Sequence, residues 1–189
     1  MKTSFPFLCA ALSLAVTAGA QQAPAPPAAP PSPSPQAQPA APPPPPPRCE
    51  GPEYRQFDFW LGSWTVLNPK DLPAGLSEIT RVSSGCAIQE KWQGTMGGDG
   101  SSLSYFSRGD KSWHQVWVGP DGMVLHLKGG LQDGAMVLAG DDRQTPQGVV
   151  RDRIRWTPQP DGMVLQEWES SKDGGKTWQK SFSGRYRKR

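Results

Sequence analysis

From residue 48 onward, apolar side chains recur at every second position, and no stretch keeps them at helical spacing for three turns. Period two is the spacing of a pleated strand, whose successive side chains point to opposite faces, so this part of the chain buries its apolar residues by making sheet. About ten such runs are legible, at roughly 59–67, 77–83, 86–93, 101–107, 112–118, 123–129, 135–140, 149–157, 162–169 and 177–187. The links between them carry turn chemistry: Gly119-Pro120-Asp121-Gly122, Gln132-Asp133-Gly134, Pro160-Asp161-Gly162 and Asp173-Gly174-Gly175. Asp-Gly suits a tight hairpin because such turns need positive φ, which glycine adopts without a Cβ clash. Sequential antiparallel strands leave two raw edges unless the sheet closes. The expected architecture is therefore all-β, a single antiparallel up-and-down barrel of about ten strands, with a two-sheet sandwich as the alternative.

The first 47 residues follow other rules. Residues 1–20 carry one basic residue, Lys2, then an apolar run from Phe5 to Val16, then Ala18-Gly19-Ala20 before Gln21. That is the layout of a signal peptide with a small-residue cleavage site. The run is shorter than the roughly 20 apolar residues that span a bilayer, so no stable membrane insertion is expected after cleavage. Residues 21–47 hold 14 of the 22 prolines and no charge. Such a segment buries too little apolar surface to offset its ordering entropy and reads as a disordered linker. The expected division is signal peptide 1–20, linker 21–47 and barrel domain 48–189, exported to the periplasm or secreted. The domain is taken as a monomer. In an oxidising compartment the two cysteines beyond the signal, Cys49 and Cys86, are expected to form a disulfide, two buried thiols being the alternative. All but one of the 20 Lys and Arg and all 17 Asp and Glu lie in the domain, a balance that gives no argument for nucleic acid.

All eight tryptophans also fall in the domain. Four polar residues share strand faces with apolar ones: Glu90 with Ile88 and Trp92, Gln115 with Trp113 and Trp117, Asp152 with Ile154 and Trp156, Gln166 with Val164 and Trp168. An unpaired buried polar group costs about 1–3 kcal/mol, so each should meet a partner or a ligand. One reading is a pocket walled by Trp92, Trp117 and Trp168, with Glu90, Gln115 and Gln166 as polar fixing points for a small molecule. The other is a structural network, for instance Glu90 paired with an arginine, inside a barrel filled by large rings. By alternation His114 and His126 point away from the main apolar stripe. Arg151, Arg153 and Arg155 form either an anion site or a solvated strand face. Ser101 and Ser102 follow a glycine-rich loop without the strand-turn-helix context of a nucleophile. No catalytic constellation and no metal-ligand spacing are visible.

The segments Phe57-Asp-Phe-Trp-Leu-Gly-Ser-Trp64, Gly85-Cys-Ala-Ile-Gln-Glu-Lys-Trp92, Trp113-His-Gln-Val-Trp117 and Gly134-Ala-Met-Val-Leu138 together resemble a family of exported bacterial proteins with a lipocalin-like, or calycin, pattern. The resemblance covers 54–189 and implies the barrel; the family brings no established activity. Gly62-x-Trp64 is similar to the lipocalin signature, which implies that Trp64 closes the barrel floor beneath an arginine of the last strand, Arg185 or Arg187. No cofactor is expected; haem, held by a barrel histidine in the related nitrobindins, would need His114 or His126 to turn inward. Separately, Ser171-Lys-Asp-Gly-Gly-Lys-Thr-Trp178 resembles the Asp box of sialidases, a structural hairpin. Three function classes follow: a small-molecule binder, an enzyme of calycin type using Glu90 or Asp152 as a base, and a tethered envelope module. A cavity favours the first two, a barrel packed solid the third.

Overall fold

The structure, a computed structural model, describes residues 49–189. The signal-peptide and linker assignments lie outside the described residues. The domain is all-β. Its strands are β1 (Gly62–Leu67), β2 (Pro73–Val82), β3 (Ala87–Gly94), β4 (Asp99–Ser107), β5 (Ser112–Val118), β6 (Val124–Gln132), β7 (Ala135–Ala139), β8 (Arg143–Thr145), β9 (Gly148–Pro158), β10 (Val164–Ser171) and β11 (Gln179–Lys188). Every pairing is antiparallel, and the order β10-β11-β1-β2-β3-β4-β5-β6-β7-β9 returns to β10 through a β9–β10 ladder, closing a ten-stranded barrel. The expectation of about ten strands in a closed barrel holds. The three-residue β8 was not anticipated; it follows a break at Gly140–Asp142 and pairs with the start of β9, outside the ring.

The hairpins form where the Asp-Gly pairs stand. In the Pro120-Asp121-Gly122 turn and its echo at Pro160-Asp161-Gly162, the glycines sit at φ 78° and 81°. In both, the aspartate Oδ1 accepts from the amide two residues on, Met123 or Met163. In the Asp-box segment, the Asp173 carboxylate accepts from the Thr177 hydroxyl, the Thr177 and Lys176 amides and the Ser171 hydroxyl, which holds it down to about 2. The segment is thus a self-bonded turn ahead of β11.

One barrel end is closed by chain that the alternation pattern assigned to a strand. Residues 59–61 were expected to begin the first strand; instead Pro52–Arg55 and Asp58–Trp60 form two 3-10 turns, the second ends where Leu61 becomes extended, and the strand starts at Gly62, at a φ of 135°. Phe57 and Trp60 are fully buried, stacked on one another and edged by Trp113 and Trp156. Burying a ring of this kind stabilises by roughly 1.5–3 kcal/mol, so this plug carries much of the core. Arg81 of β2 holds it from outside, donating to the Tyr54 and Gly85 carbonyls and pairing with Asp58.

Trp64 is fully buried in this floor, its Nε1 donating to the Trp60 carbonyl at 3.0 Å and its ring edged by Tyr186. The basic residue over it is Lys188, 5.5 Å from the ring centre, and neither Arg185 nor Arg187 takes that place. Register explains the correction: Trp64 pairs with Lys188, and the even-numbered residues of this end of β11 face inward, Tyr186 among them. Arg185 and Arg187 therefore point out. Arg185 lies opposite Leu67 and pairs with Asp71.

Cys49 and Cys86 are disulfide-bonded, with Cα atoms 5.0 Å apart. The bridge ties the chain just before the plug to the residue just before β3, reinforced by Arg55 donating to the Cys49 carbonyl at 2.6 Å. Closing a loop of 37 residues stabilises by roughly 3–4 kcal/mol in the chain-entropy account. Replacing both cysteines by alanine should lower the thermal midpoint by roughly 10 °C, followed by circular dichroism, and non-reducing peptide mapping of the native chain should recover the two cysteines linked. Both thiols alkylating without reductant would contradict the bridge.

Candidate functional site

At the end away from the plug, the barrel leaves a cavity of about 150 Å³. The six residues singled out in the sequence all line it: Trp92 and Glu90 from β3, Trp117 and Gln115 from β5, Trp168 and Gln166 from β10. Parity brings them together, since each tryptophan and its polar companion stand two apart on the inward face. Room for the rings comes from glycine. A Cβ on Gly75 would fall 2.5 Å from the Trp92 ring, and one on Gly100 would fall 2.3 Å from the Trp117 ring, so the rim of each indole takes the space a side chain would fill on the neighbouring strand. On β11, Phe182 covers Gly184 and meets Trp92 edge-on at 6.2 Å.

Glu90 is the buried charge of the site, 5% exposed. Its companion is not the arginine that a structural network would supply. Ser77 of β2 donates to Oε1 at 2.8 Å, Ser102 of β4 donates to Oε2 at 3.2 Å, and the Tyr186 hydroxyl stands 3.4 Å from Oε1. Burial pushes the Glu90 carboxyl up to about 7, and the three hydroxyls only partly offset it. Tyr186 is itself raised well above its ordinary value, first by burial and then by Glu90. Its hydroxyl makes its shorter bond to Gln166 Oε1. Gln115 donates to Ser104 Oγ at 3.0 Å. Sequence reasoning passed over Tyr186, Phe182, Ser77 and Ser104, and considered Ser102 only as a loop residue. The parity of β11 was the signal for the first two; at the serines alternation points the wrong way, since Ser77, Ser102 and Ser104 are buried while their apolar neighbours Leu76, Leu103 and Tyr105 face out.

Asp152 is buried but spoken for, and this corrects its candidacy as a cavity base. Arg143 of β8 pairs with Oδ2 at 2.7 Å, while Trp168 Nε1 and the Ser170 hydroxyl donate to Oδ1 at 2.8 and 2.6 Å. Its work is positional: through it, β8 fixes the angle of the Trp168 ring. Arg151 pairs with Asp142 and Arg153 with Glu169, Arg153 also lying over the Trp178 ring, so these two arginines are ion-paired on the outer surface. His114 pairs with Asp110 and stacks on Tyr105, and His126 is exposed; both lie on the outer face. Among the described residues no group of three or more His, Cys, Asp or Glu could hold a metal ion. No family model and no curated protein matches the chain. The site is defined by its fold: a closed antiparallel barrel with an indole-walled cavity over one buried carboxyl.

The displaced Glu90 equilibrium has a signed consequence. Between its ordinary value of 4.5 and about 7, the folded protein holds a proton that the unfolded chain has released, so this group's contribution to stability falls as pH rises through that window and is level above it. Glu90→Gln removes the titration. The stability of the variant relative to the parent should rise by on the order of 3 kcal/mol between about pH 4 and pH 8, measured by urea unfolding at each pH. A difference that stays flat with pH would refute the assignment.

Proposed function

We propose that this domain is an exported barrel that binds a small apolar or aromatic molecule in the cavity, with the rings of Trp92, Trp117 and Trp168 as walls and Glu90, Gln115 and Gln166 as fixing points. The observation that carries the reading is the cavity itself: a barrel serving only as a tethered module would be expected to pack solid, whereas here about 150 Å³ is left beside convergent polar groups. Space of that size accommodates about one six-membered ring. Glu90 alone favours a second reading, a calycin-type enzyme, because a carboxyl held near 7 both takes up and releases protons at neutral pH. Supporting export are the Cys49–Cys86 disulfide and the signal-like first 20 residues; among the described residues no helix is long and apolar enough to cross a membrane.

Native mass spectrometry of the protein purified from its own host should reveal a co-purifying small molecule, and Trp117→Ala or Trp92→Ala should weaken its binding by about 1–3 kcal/mol in calorimetric titration. Tryptophan variants that bind as tightly as the parent would remove the cavity from consideration. The intact mass of envelope-extracted protein should correspond to a chain beginning at Gln21. A species retaining Met1 and fractionating with membranes would replace export by anchoring.

A further inference from the structure

We infer that the ligand of this cavity is a small organic cation: a protonated amine on one apolar or aromatic ring, with its ammonium group at Glu90 and its ring among the indoles. This rests on the binding reading above and narrows it to a ligand class.

The two buried carboxylates of the barrel are treated differently. Asp152 faces Arg143 at 2.7 Å, a countercharge supplied by the chain. Glu90 has none: among the described residues it takes part in no ion pair, and its partners are hydroxyls of Ser77, Ser102 and Tyr186. No Lys, Arg or His lines the cavity. The other polar groups on the lining residues are two amides, a phenol and the indole N–H groups, of which Trp156 Nε1 is buried without a partner; none of them carries a charge. A carboxylate has about four acceptor positions. Two are taken by the serines, and Tyr186 directs its shorter bond to Gln166, so Glu90 retains capacity for a donor arriving from the cavity. The walls point the same way. An indole presents a negative face, which attracts a cation and disfavours an anion, and Trp92, Trp117, Trp156 and Trp168 all contribute to the lining. A neutral ring would use the walls and leave the carboxyl without a countercharge. An anion would meet Glu90 and four electron-rich faces with nothing to neutralise it. An ammonium ion satisfies both.

The pH response follows from what faces Glu90. From β2 these are Ser77 and Ile79, from β4 Ser102, from β10 Gln166 and from β11 Tyr186. Of these only Tyr186 titrates, well above neutrality. Of the charged residues on those strands, Arg81 pairs with Asp58 at the plug, Glu78 with Arg189, Glu167 with Lys180, Glu169 with Arg153 and Arg185 with Asp71, while on β3 itself Lys91 is exposed on the outer face. Amine binding between about pH 5 and pH 8 therefore follows Glu90, strengthening as the carboxyl loses its proton.

Three ring-matched probes test this on the full mature chain: benzylamine, benzyl alcohol and benzoate, titrated by calorimetry with tryptophan fluorescence as a second signal. At about pH 8 benzylamine should bind about tenfold or more tighter than benzyl alcohol, and benzoate should bind weakest. Benzylamine stays protonated across this range, so a shrinking advantage toward about pH 5 belongs to the protein. Glu90→Gln should abolish the advantage while benzyl alcohol keeps its affinity. If benzyl alcohol or benzoate matches benzylamine at about pH 8, or if the amine keeps its advantage in Glu90→Gln, the cation proposal is overturned and the cavity reading survives. If none of the three binds at millimolar concentration, the cavity reading falls and takes the proposal with it. Should Glu90→Gln fail to fold by circular dichroism, the ratio of benzylamine to benzyl alcohol affinity in the parent across pH decides: a constant ratio overturns the proposal.

Discussion

The β9–β10 ladder, eight residue pairs from Val164↔Pro158 to Ser171↔Arg151, is the constraint on which the rest depends. It turns a ten-stranded sheet with two edges into a ring, and a ring has a diameter set by its strand number. Eight strands leave an interior that side chains just fill; ten leave more. The chain meets that surplus in two ways. At one end it folds the 52–60 segment back inside, so that Phe57 and Trp60 fill space that strand residues do not reach. At the other it sends in Trp92, Trp117 and Trp168, and accommodates two of them by placing glycine beneath the ring. The cavity is what remains between these solutions.

Within that interior the polar groups sort by how their burial is compensated. A buried charge is costly unless it is paired, and the pairing tells its role. Asp152 is paired with Arg143 and bonded to Trp168 and Ser170, which makes it part of the wall's support. Glu90 is surrounded by hydroxyls that stabilise its charge without cancelling it, and because burial outweighs them its proton affinity rises. A group left in that condition at the edge of a cavity is poised either to hold a proton or to receive a cation. The same contrast separates the cavity from the outer face, where Arg151, Arg153 and Lys180 each find an acidic neighbour.

Much of this was legible beforehand because strand geometry is local. Alternation assigns a residue to one face or the other without knowledge of the partner strand, so Glu90, Gln115 and Gln166, each two residues from its tryptophan, could be placed on inward faces, and Asp-Gly located the hairpins. Alternation also misled at residues 59–61, where a 3-10 turn buries Phe57 and Trp60 through a geometry that period two does not describe.

The sequence by itself determined the class of fold, the faces of its strands and the turns, because each follows from chemistry spanning a few residues; that Cys49 and Cys86, 37 residues apart, come within reach of a bridge was left to the tertiary structure. Tertiary structure decided which inward residues meet. Only ring closure and register bring Tyr186 to Glu90 across 96 residues, set Lys188 and not Arg185 over Trp64, and let β8 deliver Arg143 to Asp152 while Glu90 goes without a cation. Those pairings depend on shear around a closed sheet, a property of all ten strands together that no single stretch of chain encodes.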